Sequence, residues 1–193
     1  MRARRGAGVG GLAEMARARP LLDPRPGPPL IRPLLGWRRA KIAGVVAAAG
    51  IAPIEDPSNR HPRFDRSRIR GLLASTDELP TDRLAMAARN LRHAEEALTW
   101  ATEREWAMRS RVDRESVGID PSGLPYELRR RLALHAIRQV RAEFGLEGLW
   151  RETGIDRLVD LLDSGSAGTL AGVMARTKGS LWIFTPAPPR RSH

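Results

Sequence analysis

From residue 81 onward the apolar positions of the chain fall into regular periods. Leu84, Ala87, Leu91, Ala94, Leu98 and Ala101 recur at spacings of three and four, with Met108 on the same stripe. That is the helical period, so a long helix is predicted to open at Thr81, a good N-cap followed by Asp82, and to run to about residue 112. Its apolar face is a narrow seam, with Trp100 and Trp106 at the margins. A second helix is predicted over residues 125–145, opening on Pro125 and closing on Gly145. Leu128, Leu132, His135 or Ala136, Gln139 or Val140 and Phe144 form its buried side. The two helices are expected to lie antiparallel, each covering the other's seam, with a turn-rich strand or loop over residues 112–124 between them. Residues 155–163 read as a third, short helix stopped by Gly165. Beyond it, residues 169–174 and 181–185 flank Arg176-Thr177-Lys178-Gly179. The second run is rich in strand formers and Gly179 suits a tight loop, which predicts a terminal β-hairpin.

Before residue 77 the periods are shorter and more broken. Residues 1–19 read as a helix end, a Gly-rich turn and a short return. Gly6, Gly8 and Gly11 formally match a dinucleotide fingerprint, but no strand precedes them and residue 31 is Ile where an acid is needed, so a tight turn is the reading. Residues 20–29, with Pro24, Pro26, Pro28 and Pro29, form a Pro-rich surface loop. Residues 37–50 form a helix of small side chains that Gly50 ends. Arg38, Arg39 and Lys41 crowd its start, which opposes the helix dipole unless an anion lies beside that end. Residues 51–54 fit a short strand or an extended strip, Asp56-Pro57-Ser58-Asn59 is turn chemistry, and residues 71–80 form a hinge. The expected domains are residues 1–76 and 77–193.

Charge changes this picture. The chain holds 33 Lys and Arg against 22 Asp and Glu, a net +11. Residues 1–70 hold 15 basic and 5 acidic side chains, and residues 71–193 hold 18 and 17, so the excess sits almost wholly in the first third. Such asymmetry points to a polyanion, with nucleic acid the leading case. A membrane is the weaker partner, because no basic helix has a bulky apolar face and no apolar run approaches the roughly 20 residues of a span. The absence of cysteine excludes disulfides and thiolate metal sites. His61, His93, His135 and His193 have no metal-ligand spacing.

The chemistry concentrates after the turn. Arg66, Arg68 and Arg70 stand two residues apart. On a strand all three share a face; on a helix Arg66 and Arg70 share one and Arg68 diverges. Guanidinium forks beside a rigid turn suit phosphate or carboxylate.

Arg32-Pro33-Leu34-Leu35, a short helix, Glu55-Asp56-Pro57-Ser58-Asn59 and then Phe64-Asp65-Arg66-Ser67-Arg68-Ile69-Arg70 resemble the end of the catalytic domain of the tRNA(Ile)-lysidine synthetase family. Residues 5–15, Arg-Gly-Ala-Gly-Val-Gly-Gly-Leu-Ala-Glu-Met, are similar to that family's Arg-Gly-Ser-Gly…Gly-Leu segment, and the terminal hairpin to that of its compact members. Ser67 departs from the family's usual Asn. The family's Ser-Gly-Gly-x-Asp-Ser loop and its His-x-x-Asp-Gln-x-Glu segment are missing from the 193 residues. The resemblance therefore implies a mainly α chain. It would be a truncated remnant of an α/β PP-loop domain, residues 1–76, followed by a helical domain with a small β-hairpin, residues 77–193.

What the resemblance implies in function is a ligase of the cytoplasm. With ATP and Mg2+ the family adenylates C2 of the wobble cytidine of an isoleucine tRNA, and the amine of free lysine then displaces AMP. By position, Arg66 would be the active-site arginine, with Arg5, Asn59, Arg68 and Arg70 binding RNA or substrate. No position in the chain receives the ATP and Mg2+ ligands, so the chain alone is expected to be inactive. The alternative is a non-catalytic basic module that binds tRNA or other RNA.

Overall fold

In the computed structural model, residues 6–20, 27–54, 56–59, 61, 63–146 and 148–188 are described. Arg5, Glu55, most of the Pro-rich loop (residues 21–26) and the tail from residue 189 lie outside them. The chain divides into two compact units, Met1–Glu96 and Ala97–His193.

In the first unit, α1 (Val9–Leu12) leads to a hairpin of β1 (Ala18–Pro20) and β2 (Pro29–Ile31), paired Ala18 to Ile31 and Pro20 to Pro29. Arg32 closes it, its N–H donating to the Arg17 carbonyl at 2.8 Å and its guanidinium to the Ala16 carbonyl at 3.0 Å. α2 (Arg39–Ala48) follows. Residues 51–54 have no regular structure and pair with no strand among the described residues, and Ile54 is 98% exposed. A single 3-10 turn (Pro57–Asn59) precedes α3 (Asp65–Ala74), so residues 71–74 of the expected hinge are helix. No described residue of this unit is buried. Leu34, Val45 and Leu72 are each about half exposed.

α4 (Thr81–Arg109) is the long helix, and the division between the units falls inside it. It stops three residues early, because Ser110–Val112 leave it as β3 and pair with β4 (Val117–Ile119). In the second unit β4 also pairs with β7 (Leu181–Pro186), β7 with β6 (Val173–Lys178) and β6 with β5 (Gly168–Leu170). The result is a five-stranded antiparallel sheet in the order β3-β4-β7-β6-β5. The molecule is thus mixed α/β. The expected hairpin, with arms at 169–174 and 181–185, is shifted: its first arm is split between β5 and the start of β6, Arg176, Thr177 and Lys178 belong to strand β6 rather than to the loop, and β6 and β7 lie inside the sheet rather than forming an appendage. Strands of three residues give too short a period to be read from sequence.

α5 (Tyr126–Glu143) and α6 (Ile155–Asp163) pack on one face of this sheet. Alternation sends Val173, Ala175, Trp182 and Phe184 inward. They meet Leu132, Ala136, Ile137 and Val140 of α5 and Leu158, Val159 and Leu162 of α6. Close approach fixes one glycine: a Cβ on Gly168 would lie 2.6 Å from Leu158 Cδ1. Gly154, at φ +96°, opens α6 in the left-handed region that glycine adopts without strain. The apolar side of α5 therefore covers sheet and α6, not the seam of α4, of which only Thr102 is buried. α4 meets α5 chiefly where the Trp106 and His135 rings stack 4.0 Å apart, 7° from parallel. Ion pairs from Arg129 to Asp163, at 2.5 Å, and from Arg130 to Asp156, at 2.9 Å, tie α5 to α6.

Candidate functional site

The turn before α3 is built from its own backbone. Asn59 N–H donates to the Asp56 carbonyl at 3.0 Å, as Pro57 and the polar residues around it favour. The Ser67 hydroxyl, in the first turn of α3, donates to the Asn59 carbonyl at 2.8 Å. This single bond fixes the turn against the helix. Ser67, which sequence marks only as a departure from a motif, is thus the residue that holds Asn59 in place. No local pattern reveals that bond, since it joins residues eight apart across the turn.

α3 is a helix, which settles how its arginines are disposed. Arg66 and Arg70 are one turn apart on one face, and Arg68 points about 200° away from Arg66. Arg68 pairs with the Asp65 carboxylate. Arg66 and Arg70 are exposed and have no hydrogen bond or ion pair with any described residue. Asp65 sits in the first turn, where its charge suits the helix dipole. The arrangement presents two neighbouring guanidinium groups whose donors are unspent, which is what a phosphate-bearing ligand recruits. Asn59 is exposed beside them through the Ser67 bond, Arg68 is turned to its own helix, and Arg5 lies outside the described residues.

The basic start of α2 finds part of its counter-charge. Arg38, its N-cap residue, pairs with Asp82 at 2.7 Å, and the Lys41 ammonium lies 4.6 Å from the Trp37 ring centroid.

The Gly-rich segment does not fit a triphosphate. Gly11 and Leu12 N–H groups both donate to the Gly8 carbonyl, at 3.0 and 3.1 Å, so they close a helical turn instead of facing a ligand. A Cβ on Gly10 would meet the Glu95 carboxylate at 3.0 Å, and an anion there would face a carboxylate. Among the described residues no group of three His, Cys, Asp or Glu side chains could hold a metal ion. Nor, among the described residues, is any helix long and apolar enough to cross a membrane.

These features meet the comparisons with known proteins. The family model of the PP-loop domain matches residues 1–76, so the turn and α3 lie within sequence of a nucleotide-dependent class. The whole chain is similar to enzymes named tRNA(Ile)-lysidine synthase. It is 36% identical to that of Zymomonas mobilis over 191 residues, 99% of this chain and 56% of the relative. It is 39% identical to that of Novosphingobium aromaticivorans over 197 residues, 100% of this chain and 57% of the relative. With the protein of Ruegeria pomeroyi, identity is 43% over 142 residues. The chain is similar along its whole length to the tRNA(Ile)-lysidine synthase family, and it spans a little over half the length of the relatives that it matches end to end.

Proposed function

We propose that the chain is the C-terminal part of a cytoplasmic tRNA(Ile)-lysidine synthase, a ligase that joins free lysine to C2 of the wobble cytidine of an isoleucine tRNA at the expense of ATP. The similarity running through all 193 residues carries this reading. Residues 1–76 are the end of the catalytic PP-loop domain and residues 77–193 the appended domain. Arg66 is the active-site arginine: its guanidinium is exposed and has no partner among the described residues, and charge at the reacting centre is what such a donor stabilises. Arg70 shares that face and binds the RNA backbone, Asn59 shapes the turn, Arg68, paired with Asp65, has a lesser part, and Arg5 contributes through sequence that the described residues do not cover.

ATP and Mg2+ are bound by residues that these 193 do not supply. The chain holds no Ser-Gly-Gly-x-Asp-Ser loop, and its one Gly-rich turn backs onto Glu95. The assay is incorporation of labelled lysine into unmodified isoleucine tRNA with ATP and Mg2+. The 193 residues alone should give no incorporation. The same residues preceded by the N-terminal part of a relative should give ATP-dependent incorporation that Arg66→Ala abolishes. Incorporation by the 193 residues alone would mean that the nucleotide site has been misplaced. Salt-sensitive tRNA binding without incorporation in either form would favour a non-catalytic RNA module.

A further inference from the structure

Within the first unit, α4 is covered on one side alone. Of residues 81–96, Ala88, Leu91, Arg92 and Glu95 are half-buried and the rest exposed. They stand at i, i+3, i+4 and i+7, which is one side of a helix. The Gly-rich segment lies on that side. The Glu14 N–H donates to the Ala88 carbonyl at 3.0 Å. The Glu14 carbonyl accepts from Arg92 Nε at 3.0 Å and again from Nη2 of the same guanidinium. About one turn further along, the Glu95 carboxylate lies so near Gly10 that a Cβ there would meet it at 3.0 Å. The segment needs such a hold. α1 is four residues long, with no side-chain cap and no buried residue, and a helix of one turn has no stability of its own. Both main-chain groups of Glu14 are engaged instead by a helix whose Arg92 is 78 residues away in sequence.

We propose that Arg92 is a positioning residue for lysine transfer, a role that rests on the ligase reading. It fixes the Gly-rich segment of the PP-loop domain to the long helix that continues into the second unit. A guanidinium suits this task because its fork brings two donors to one carbonyl in a fixed geometry, where an ammonium is a point charge on a flexible stem. Arg92 lies outside residues 1–70, where the basic excess sits, and two of its donors already have an acceptor in the protein. Its loss should therefore act on the orientation of the reacting groups and not on tRNA affinity.

The first test is hydrogen exchange of the 193-residue chain followed by NMR. The Glu14 amide should be protected. Arg92→Met should speed its exchange about tenfold, the worth of a hydrogen bond to a charged group, while amides of α5 and β7 keep their rates. The second test is lysine incorporation by the chain preceded by the N-terminal part of a relative. Arg92→Met should lower kcat about tenfold with KM for tRNA unchanged, and Arg92→Lys, which keeps a donor, should recover part of the loss. Glu14 exchange unaltered by Arg92→Met, or a rise in KM for tRNA with kcat intact, would overturn the proposal; the second result would give Arg92 to the RNA. No incorporation by the unaltered joined form would overturn the ligase reading and the role in transfer with it. Full-rate incorporation by Arg92→Met would overturn the role in transfer alone.

Discussion

At the scale of single residues, the three arginines of α3 are not equivalent although their spacing is uniform. Arg68 spends its charge on Asp65 and faces away, while Arg66 and Arg70 keep theirs. Each phosphate neutralised contributes about 0.7–0.9 to the slope of log affinity against log salt. The Arg66→Glu, Arg70→Glu double variant should therefore weaken binding of unmodified isoleucine tRNA and flatten that slope by roughly twice this amount. Arg68→Glu should do much less. Fluorescence anisotropy across a salt series measures both, and equal effects from all three positions would count against the helical assignment of roles. Sequence brought these side chains forward but left strand and helix open. It was α3, seated behind the Asn59 turn by Ser67, that separated them.

At the scale of elements, the joint between α4 and α5 carries a pH signature. Burial pushes His135 below its ordinary value; Arg138 pushes the same way and Glu103 opposes. His135 is neutral in the fold when its unfolded counterpart, near 6.5, begins to take up a proton. Between those two values the unfolded chain binds more protons, so stability is full above about pH 6.5 and falls as pH drops toward the folded value. His135→Phe keeps a ring against Trp106 and removes the proton. Its melting temperature should fall less between pH 7.5 and pH 5.5 than that of the unaltered chain; parallel profiles would show that the stack does not sense pH. Asp120, held low by the Ser122 hydroxyl and N–H, adds a loss only in the carboxylate range, about pH 4 and below. The helices were legible where their periods were long: α6 begins and ends where the pattern said, and α5 within two residues. β3, β4 and β5, three residues each, were not, because they are specified by their neighbours across the sheet.

At the scale of the whole molecule, the two units differ in how they are held. The second has a closed core around Trp182, Phe184, Ile137 and Val159, whereas the described residues of the first include no buried one. α2 is apolar on nearly every side after its first turn, the pattern of a helix covered all round. Residues 81–193, keeping α4 whole, should melt in one cooperative transition and bind little hydrophobic dye. Residues 1–80 alone should bind dye strongly and melt without a sharp transition. A cooperative transition in residues 1–80 would show that this unit closes a core of its own.

By itself, the sequence determined the helical periods, the uneven charge and the ordered motifs around Arg66, because each is a local pattern or a property of composition. Only the tertiary structure decided which side of α5 met a sheet, that the terminal hairpin was the middle of five strands, and which arginines stayed unpaired. Those outcomes depend on residues apart in the chain: Val117 pairs with Phe184, Ser67 reaches Asn59 across a turn, and Glu95 lies against Gly10. Such contacts leave no period to read, since the energy that fixes them appears only when the two segments meet.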